Sequence, residues 1–267
     1  MRALGDFYLM RMKLAIIEQF QYRVANYFYM IGMIAEPVIY LVVWSTVAVS
    51  QGGSVGGYTA GEFAAYYIIW TLVRNMNIAL TPYAWENYIQ RGYLSIQLLR
   101  PLHPMHNDLA YFSGWKFVVI VMWLPIAIIL SFLFKPTLDP QPWMMVAFFF
   151  ALWGGFFMRF MLLWLLGLIT FWTTRVSAIF ELYFTVELLF SGRLVPLSLM
   201  PVWAQQVAAY LPFQWAFGFP IELLLGKLTP PQALYGLGMQ VFWTLLGLIG
   251  VSLLWRAALR RFSAVGA

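Results

Sequence analysis

Six long apolar runs separated by short polar segments dominate this chain, at approximately Tyr27–Val49, Phe63–Thr81, Leu109–Phe134, Trp143–Thr173, Val176–Phe190 and Ala233–Trp255. A helix crosses the hydrocarbon core of a bilayer in ~20 residues, so each run predicts a transmembrane helix. The fourth is long enough to tilt, and the fifth is short unless it continues through Ser191–Gly192. Ahead of them, residues 1–25 place Leu9, Met10, Leu14, Ile17 and Phe20 at helical spacing among Arg2, Asp6, Arg11, Lys13, Glu18 and Arg23. That pattern predicts an amphipathic helix lying in the cytoplasmic interface, and its spread of charge argues against a cleaved signal. Ser191–Gln232 is too apolar for an ordinary loop, yet Pro196, Pro201, Pro212 and Pro220 forbid one continuous helix. Short external re-entrant helices before the last span fit this segment; a kinked seventh span would carry the basic C-terminus outside. Gln51–Gly57 reads as a small flexible external loop. The expectation is an all-α integral membrane protein of six spans in a single domain, 1–267.

Composition agrees. The 267 residues are 63% hydrophobic and 10% charged, where a soluble domain has about 25% charged residues. With the N-terminus inside, eleven basic residues fall on the cytoplasmic side: Arg2, Arg11, Lys13, Arg23, Arg91, Arg100, Lys116, Arg175, Arg256, Arg260 and Arg261. Lys135, Arg193 and Lys227 fall outside, so both termini are expected in the cytoplasm. The same clustering reads the net charge of +6 as topology and excludes a nucleic-acid face. No cysteine is present, which excludes disulfides and thiolate metal sites.

Four charges lie inside the runs and make two candidate pairs. Glu36 and Arg74 both fall ~12–15 Å from the inner boundary at ~1.5 Å per residue. Arg159 and Glu187 fall at ~21 and ~16 Å on the same count. Such pairs either staple helices or form a polar gate. Glu181 is closer to the inner boundary, within reach of Arg175 or water, and Pro37 is able to kink the first span. His103 and His106 are too few ligands for zinc even with Asp108, and no nucleophile accompanies them for lipid chemistry. Phe180, Tyr183, Phe184 and Phe190 either line a path for a greasy substrate or simply pack.

Four stretches, taken in order, resemble the permease subunit of a bacterial type-2 ABC exporter, in the branch of uncharacterised substrate. The first is Ile89-Gln90-Arg91-Gly92-Tyr93-Leu94 with Leu98-Leu99-Arg100-Pro101-Leu102. The second runs from Ser191-Gly192 through Pro196-Leu197 to Met200-Pro201-Val202-Trp203. The third is Leu211-Pro212-Phe213 leading to Phe219-Pro220 and Leu225-Gly226; the fourth is Leu254-Trp255-Arg256 with Leu259 to Gly266. The likeness covers essentially the whole chain. It implies a multi-pass protein of the bacterial inner membrane that dimerises with a copy or a related permease and docks a cytosolic ABC ATPase. The ATPase would touch a coupling helix within the cytoplasmic loop 82–107. There Tyr88, Ile89, Leu94 and Leu98 would fill a groove, Glu86, Arg91 and Arg100 would make rim ion pairs, and Gly92 permits a tight bend. The alternative is a solvated loop whose arginines fix topology and touch anionic lipid. No G-x-x-x-x-G-K-[ST] phosphate loop occurs, so no cofactor is expected on this chain; ATP and Mg belong to the partner. The resemblance implies an exported hydrophobic or amphiphilic cargo. The rival readings are an integral-membrane lipid-processing enzyme, which lacks a catalytic cluster, and a channel or scaffold, which lacks a polar pore stripe.

Overall fold

A computed structural model describes residues 2–80, 82–173 and 176–262. Helix α1 (Arg2–Gln21) turns at Tyr22 into α2 (Arg23–Ser50), which continues unbroken through Pro37. The loop that follows is more ordered than its glycines suggest. Ser54–Val55 (β1) and Tyr58–Thr59 (β2) pair antiparallel, so the expectation of a merely flexible loop gives way to a hairpin. Gly52, Gly53, Gly56 and Gly57 supply the positive φ angles it needs.

Thr59 then starts α3 (Ala60–Met76) through a capping box with Glu62. Helix α3 is buried on nearly every side, with Phe63, Tyr66, Tyr67 and Trp70 fully enclosed, which explains an apolar sequence all round the helix. It ends earlier than its apolar run. Asn77 caps it, its Nδ2 donating to the carbonyls of Val73 and Ala216, and residues 78–80 are not helical. After α4 (Pro82–Gln90) and α5 (Tyr93–Leu98) come α6 (Pro104–Phe134) and α7 (Pro142–Gly167), the latter extended by a 3-10 turn at Leu168–Phe171. Helix α8 (Ser177–Phe190) follows.

The proline-rich segment breaks into a 3-10 turn, α9 (Val202–Tyr210), α10 (Phe213–Ala216) and α11 (Gly218–Leu224). Helices α10 and α11 are almost wholly buried, packed on α7 and on α12 (Pro230–Leu259) or α3. The major seams are α7 with α12, α1 with α6, α2 with α3, and α3 with α6.

Among the described residues four helices, where six spans were expected, are long and apolar enough to cross a membrane by themselves: α2, α6, α7 with its 3-10 extension, and α12. Helix α3 has 17 residues and α8 has 14, both under ~20. The expected contacts of Arg175 and the final motif from Ser263 to Gly266 lie outside the described residues. In α1, Tyr8, Arg11, Ala15 and Gln19 face α6. Leu9, Met10, Leu14, Ile17 and Phe20 look outward.

Candidate functional site

Two places bring together the candidate residues of the sequence. The first is the α4–α5 elbow. Gly92 separates the two helices at φ 70°, and a Cβ there would meet nothing, so the backbone angle rather than space selects glycine. Helix α4 is anchored by Trp85, buried edge-on against Trp164 at 4.8 Å between ring centroids, and Gly167 leaves room for its indole. The Tyr88 hydroxyl donates to Asp108 Oδ1 at 2.7 Å, while Trp164 Nε1 donates to Oδ2 at 3.1 Å. Burial beside that carboxylate raises the Tyr88 phenol. Glu86 Oε1 accepts from the Val176 backbone N–H at 3.3 Å.

These contacts redistribute the roles expected in this segment. Leu94 is 0% exposed and packs inward, so it is not available to fill a partner's groove. Tyr88 and Glu86 are engaged within the fold, and Ile89 and Leu98 are half-buried. The outward apolar face of the elbow is instead Tyr93, Ile96 and Leu99, at 49%, 58% and 87% exposure, flanked by exposed Arg91 and Arg100. Sequence spacing contains both faces. Tyr93, Ile96 and Leu99 recur every three residues and Leu94 and Leu98 are four apart, so burial had to decide between them. A groove of about 620 Å³ lined by Phe7, Arg11, Tyr88, Ile96 and Arg100 separates α5 from α1.

The second place is a charge network. Arg74 meets Glu36 at 2.8 Å, and Arg159 grips Glu187 with a two-pronged fork at 2.7 and 3.0 Å. Arg193 joins the two pairs, reaching Glu36 at 3.6 Å and Glu187 at 3.8 Å. Its guanidinium is therefore engaged within the fold rather than free at the surface. The turn carrying it is drawn inward by Tyr66, whose hydroxyl donates to the Gly192 carbonyl, and by Tyr67 and Trp44, which both donate to the Leu194 carbonyl. Gly192 adopts φ 85°, and a Cβ there would press on the Tyr66 hydroxyl.

Lys116, counted with the cytoplasmic charges, is fully buried within α6, where Nζ donates to the carbonyls of Asn75 and Ile78. Arg159 donates similarly to the Asn77 carbonyl. The early end of α3 leaves carbonyls without helical donors, and the two cations supply them.

Of the four aromatic candidates, Phe184 touches both Phe180 and Tyr183, with ring centroids 5.9 and 5.6 Å apart. Phe180 is buried in the core, Phe184 lies under the Arg159 guanidinium, Tyr183 packs edge-on to Phe213, and Phe190 is half-buried. His103 caps α6, its Nδ1 accepting from the Met105 N–H at 3.2 Å, and His106 pairs with the Tyr8 hydroxyl at 2.8 Å. Among the described residues no three His, Asp or Glu side chains converge as a metal site would require.

The family model described as ABC-2 family transporter protein matches residues 34–266. No curated protein matches the chain.

Proposed function

Because the chain belongs to this ABC-2 transporter family, we propose that it is the membrane-spanning half of an ATP-driven exporter, coupled through the α4–α5 elbow to a separate ATPase. As a member of that family it is a membrane-embedded transport component rather than a catalytic enzyme. In the proposed arrangement α2, α3, α6, α7, α8 and α12 cross the bacterial inner membrane. Both termini and the elbow lie in the cytoplasm, and α1 lies along the inner interface with its outward apolar residues in lipid. Helices α9, α10 and α11 enter the outer leaflet and return. The short α3 and α8 serve as spans because neighbouring helices cover their ends; for α3, Lys116 and Arg159 satisfy the freed carbonyls. Two permeases enclose the path of a hydrophobic or amphiphilic cargo. ATP and Mg bind the partner ATPase, since this chain lacks a phosphate loop.

The observation that carries the reading is the exposed stripe Tyr93, Ile96 and Leu99 along the short α5 and its C-terminal cap, next to the anchored α4 and rimmed by Arg91 and Arg100. An apolar centre with a charged rim is the composition of a protein–protein contact. The test is reconstitution of the permease with its ATPase in lipid nanodiscs, comparing wild type with Arg91→Glu and Gly92→Trp. Loss of the complex, or hydrolysis that no longer responds to the permease, is expected for both variants. Unchanged association and hydrolysis would remove the coupling role from the elbow.

A further inference from the structure

The charge network is not balanced. Three guanidinium groups, on Arg74, Arg159 and Arg193, face two carboxylates, on Glu36 and Glu187. All ten Asp and Glu residues of the chain are among the described residues, and only these two come within salt-bridge range of the three arginines. Arg159 and Arg74 make close pairs. Arg193 has only the long carboxylate contacts at 3.6 and 3.8 Å, lies over the Trp70 and Phe217 rings at 5.6 and 5.9 Å, and its buried Nε has no hydrogen-bond acceptor among the described residues. A buried guanidinium donor without a partner is costly. The network also opens outward at Glu36, which is 32% exposed while Glu187 is 1% exposed. Bare hydrocarbon is a poor neighbour for such an opening. Beside it along α2, Ile39 and Val43 follow Glu36 by three and seven residues and are exposed apolar side chains on the same flank.

From these features we infer that Arg193 and the network it bridges bind the acidic headgroup of an amphiphile, a carboxylate or phosphate ester carried on an alkyl chain. The acid supplies the missing negative charge and the acceptor for Arg193 Nε, and the chain lies along Ile39 and Val43. A guanidinium fork suits a planar or tetrahedral oxyanion better than it suits a hydroxyl. Naming this ligand as cargo rests on the permease reading; the site itself does not, so it is tested on the permease alone.

The experiment measures thermal stabilisation and binding of the purified permease in zwitterionic nanodiscs. Probes are dodecyl phosphate, dodecanoate, dodecanol and dodecylamine, with phosphatidylglycerol as the bilayer-lipid arm. Stabilisation by the two acids, weakened about tenfold or more in Arg193→Gln and unaltered in the surface control Arg260→Gln, is the expected result. Stabilisation by single-chain acids alone would identify the ligand as a free amphiphile, and by phosphatidylglycerol as a resident lipid. Equal stabilisation by dodecanol, no binding by any acid, or an unchanged response in Arg193→Gln would overturn the inference. Should Arg193→Gln fail to fold, a photoactivatable dodecanoate on the wild-type protein gives the same decision: labelling on residues 191–196 or on α2 supports the site, and labelling elsewhere only refutes it.

Discussion

At the scale of single residues, the energetics turn on how deeply each charge is enclosed. Removing one partner of a buried ion pair leaves the other without compensation and costs about 3–5 kcal/mol. Glu187→Gln does this to Arg159, so thermal unfolding of the purified permease should show a loss of that order. Glu36→Gln should cost about 1 kcal/mol or less, because its carboxylate is partly open. Equal losses would mean that the two pairs are not distinguished by burial. His103 gives a pH signature. Burial, with a smaller contribution from His106, lowers its imidazole from 6.5 to about 4. The neutral ring is the one that caps α6. A depressed folded-state pKa contributes stability that is fully present above 6.5 and is lost as pH falls toward 4. Unfolding midpoints should therefore decline over that interval, and His103→Asn, which keeps a capping side chain without titrating there, should flatten the decline.

Much of this chemistry was legible before the structure, and the exceptions have physical causes. Glu36, Arg74, Arg159 and Glu187 stand out because charge inside an apolar run is rare. The inward engagement of Arg193 and Lys116 is not legible in the sequence. Arg193 sits in a loop whose inward pull comes from hydroxyls and an indole more than a hundred residues away in sequence. Lys116 answers carbonyls exposed by the early end of α3, a boundary that Asn77 sets and hydrophobic periodicity does not reveal.

Elements show the same division. Long apolar helices announce themselves by length. Short ones, and the inward or outward sense of an amphipathic turn, depend on neighbours. Thus proline spacing indicated a broken segment over 191–232, but the enclosure of α10 and α11 follows from their packing on α7. On α5 and its C-terminal cap, burial of Leu94 leaves Tyr93, Ile96 and Leu99 as the exposed apolar face. Leu99→Asp should accordingly weaken ATPase association at least about tenfold while leaving the permease's own unfolding midpoint nearly unchanged. The α1–α6 seam offers a further test. A Cβ at Gly114 would lie 2.6 Å from the Met12 carbonyl oxygen, a backbone atom that cannot swing aside. Gly114→Val should lift α1 from α6 and increase tryptic cleavage after Arg11 and Lys13, whereas an unchanged digest would show that the seam accommodates the side chain.

For the whole molecule, orientation is the proposal that joins the parts. Leaving the two engaged cations Lys116 and Arg193 out of the count leaves ten basic residues against two, so the bias behind the proposed cytoplasmic elbow persists. The most direct measurement uses the absence of native cysteine, which makes every introduced thiol unique. Leu99→Cys at the C-terminal cap of α5 and Val202→Cys on α9 are both at exposed positions in distinct parts of the fold. With a bifunctional reagent and the assembled complex, Leu99→Cys should cross-link to the ATPase and Val202→Cys should not. A cross-link from Val202→Cys, or none from Leu99→Cys in a complex that remains intact, would contradict coupling through this elbow.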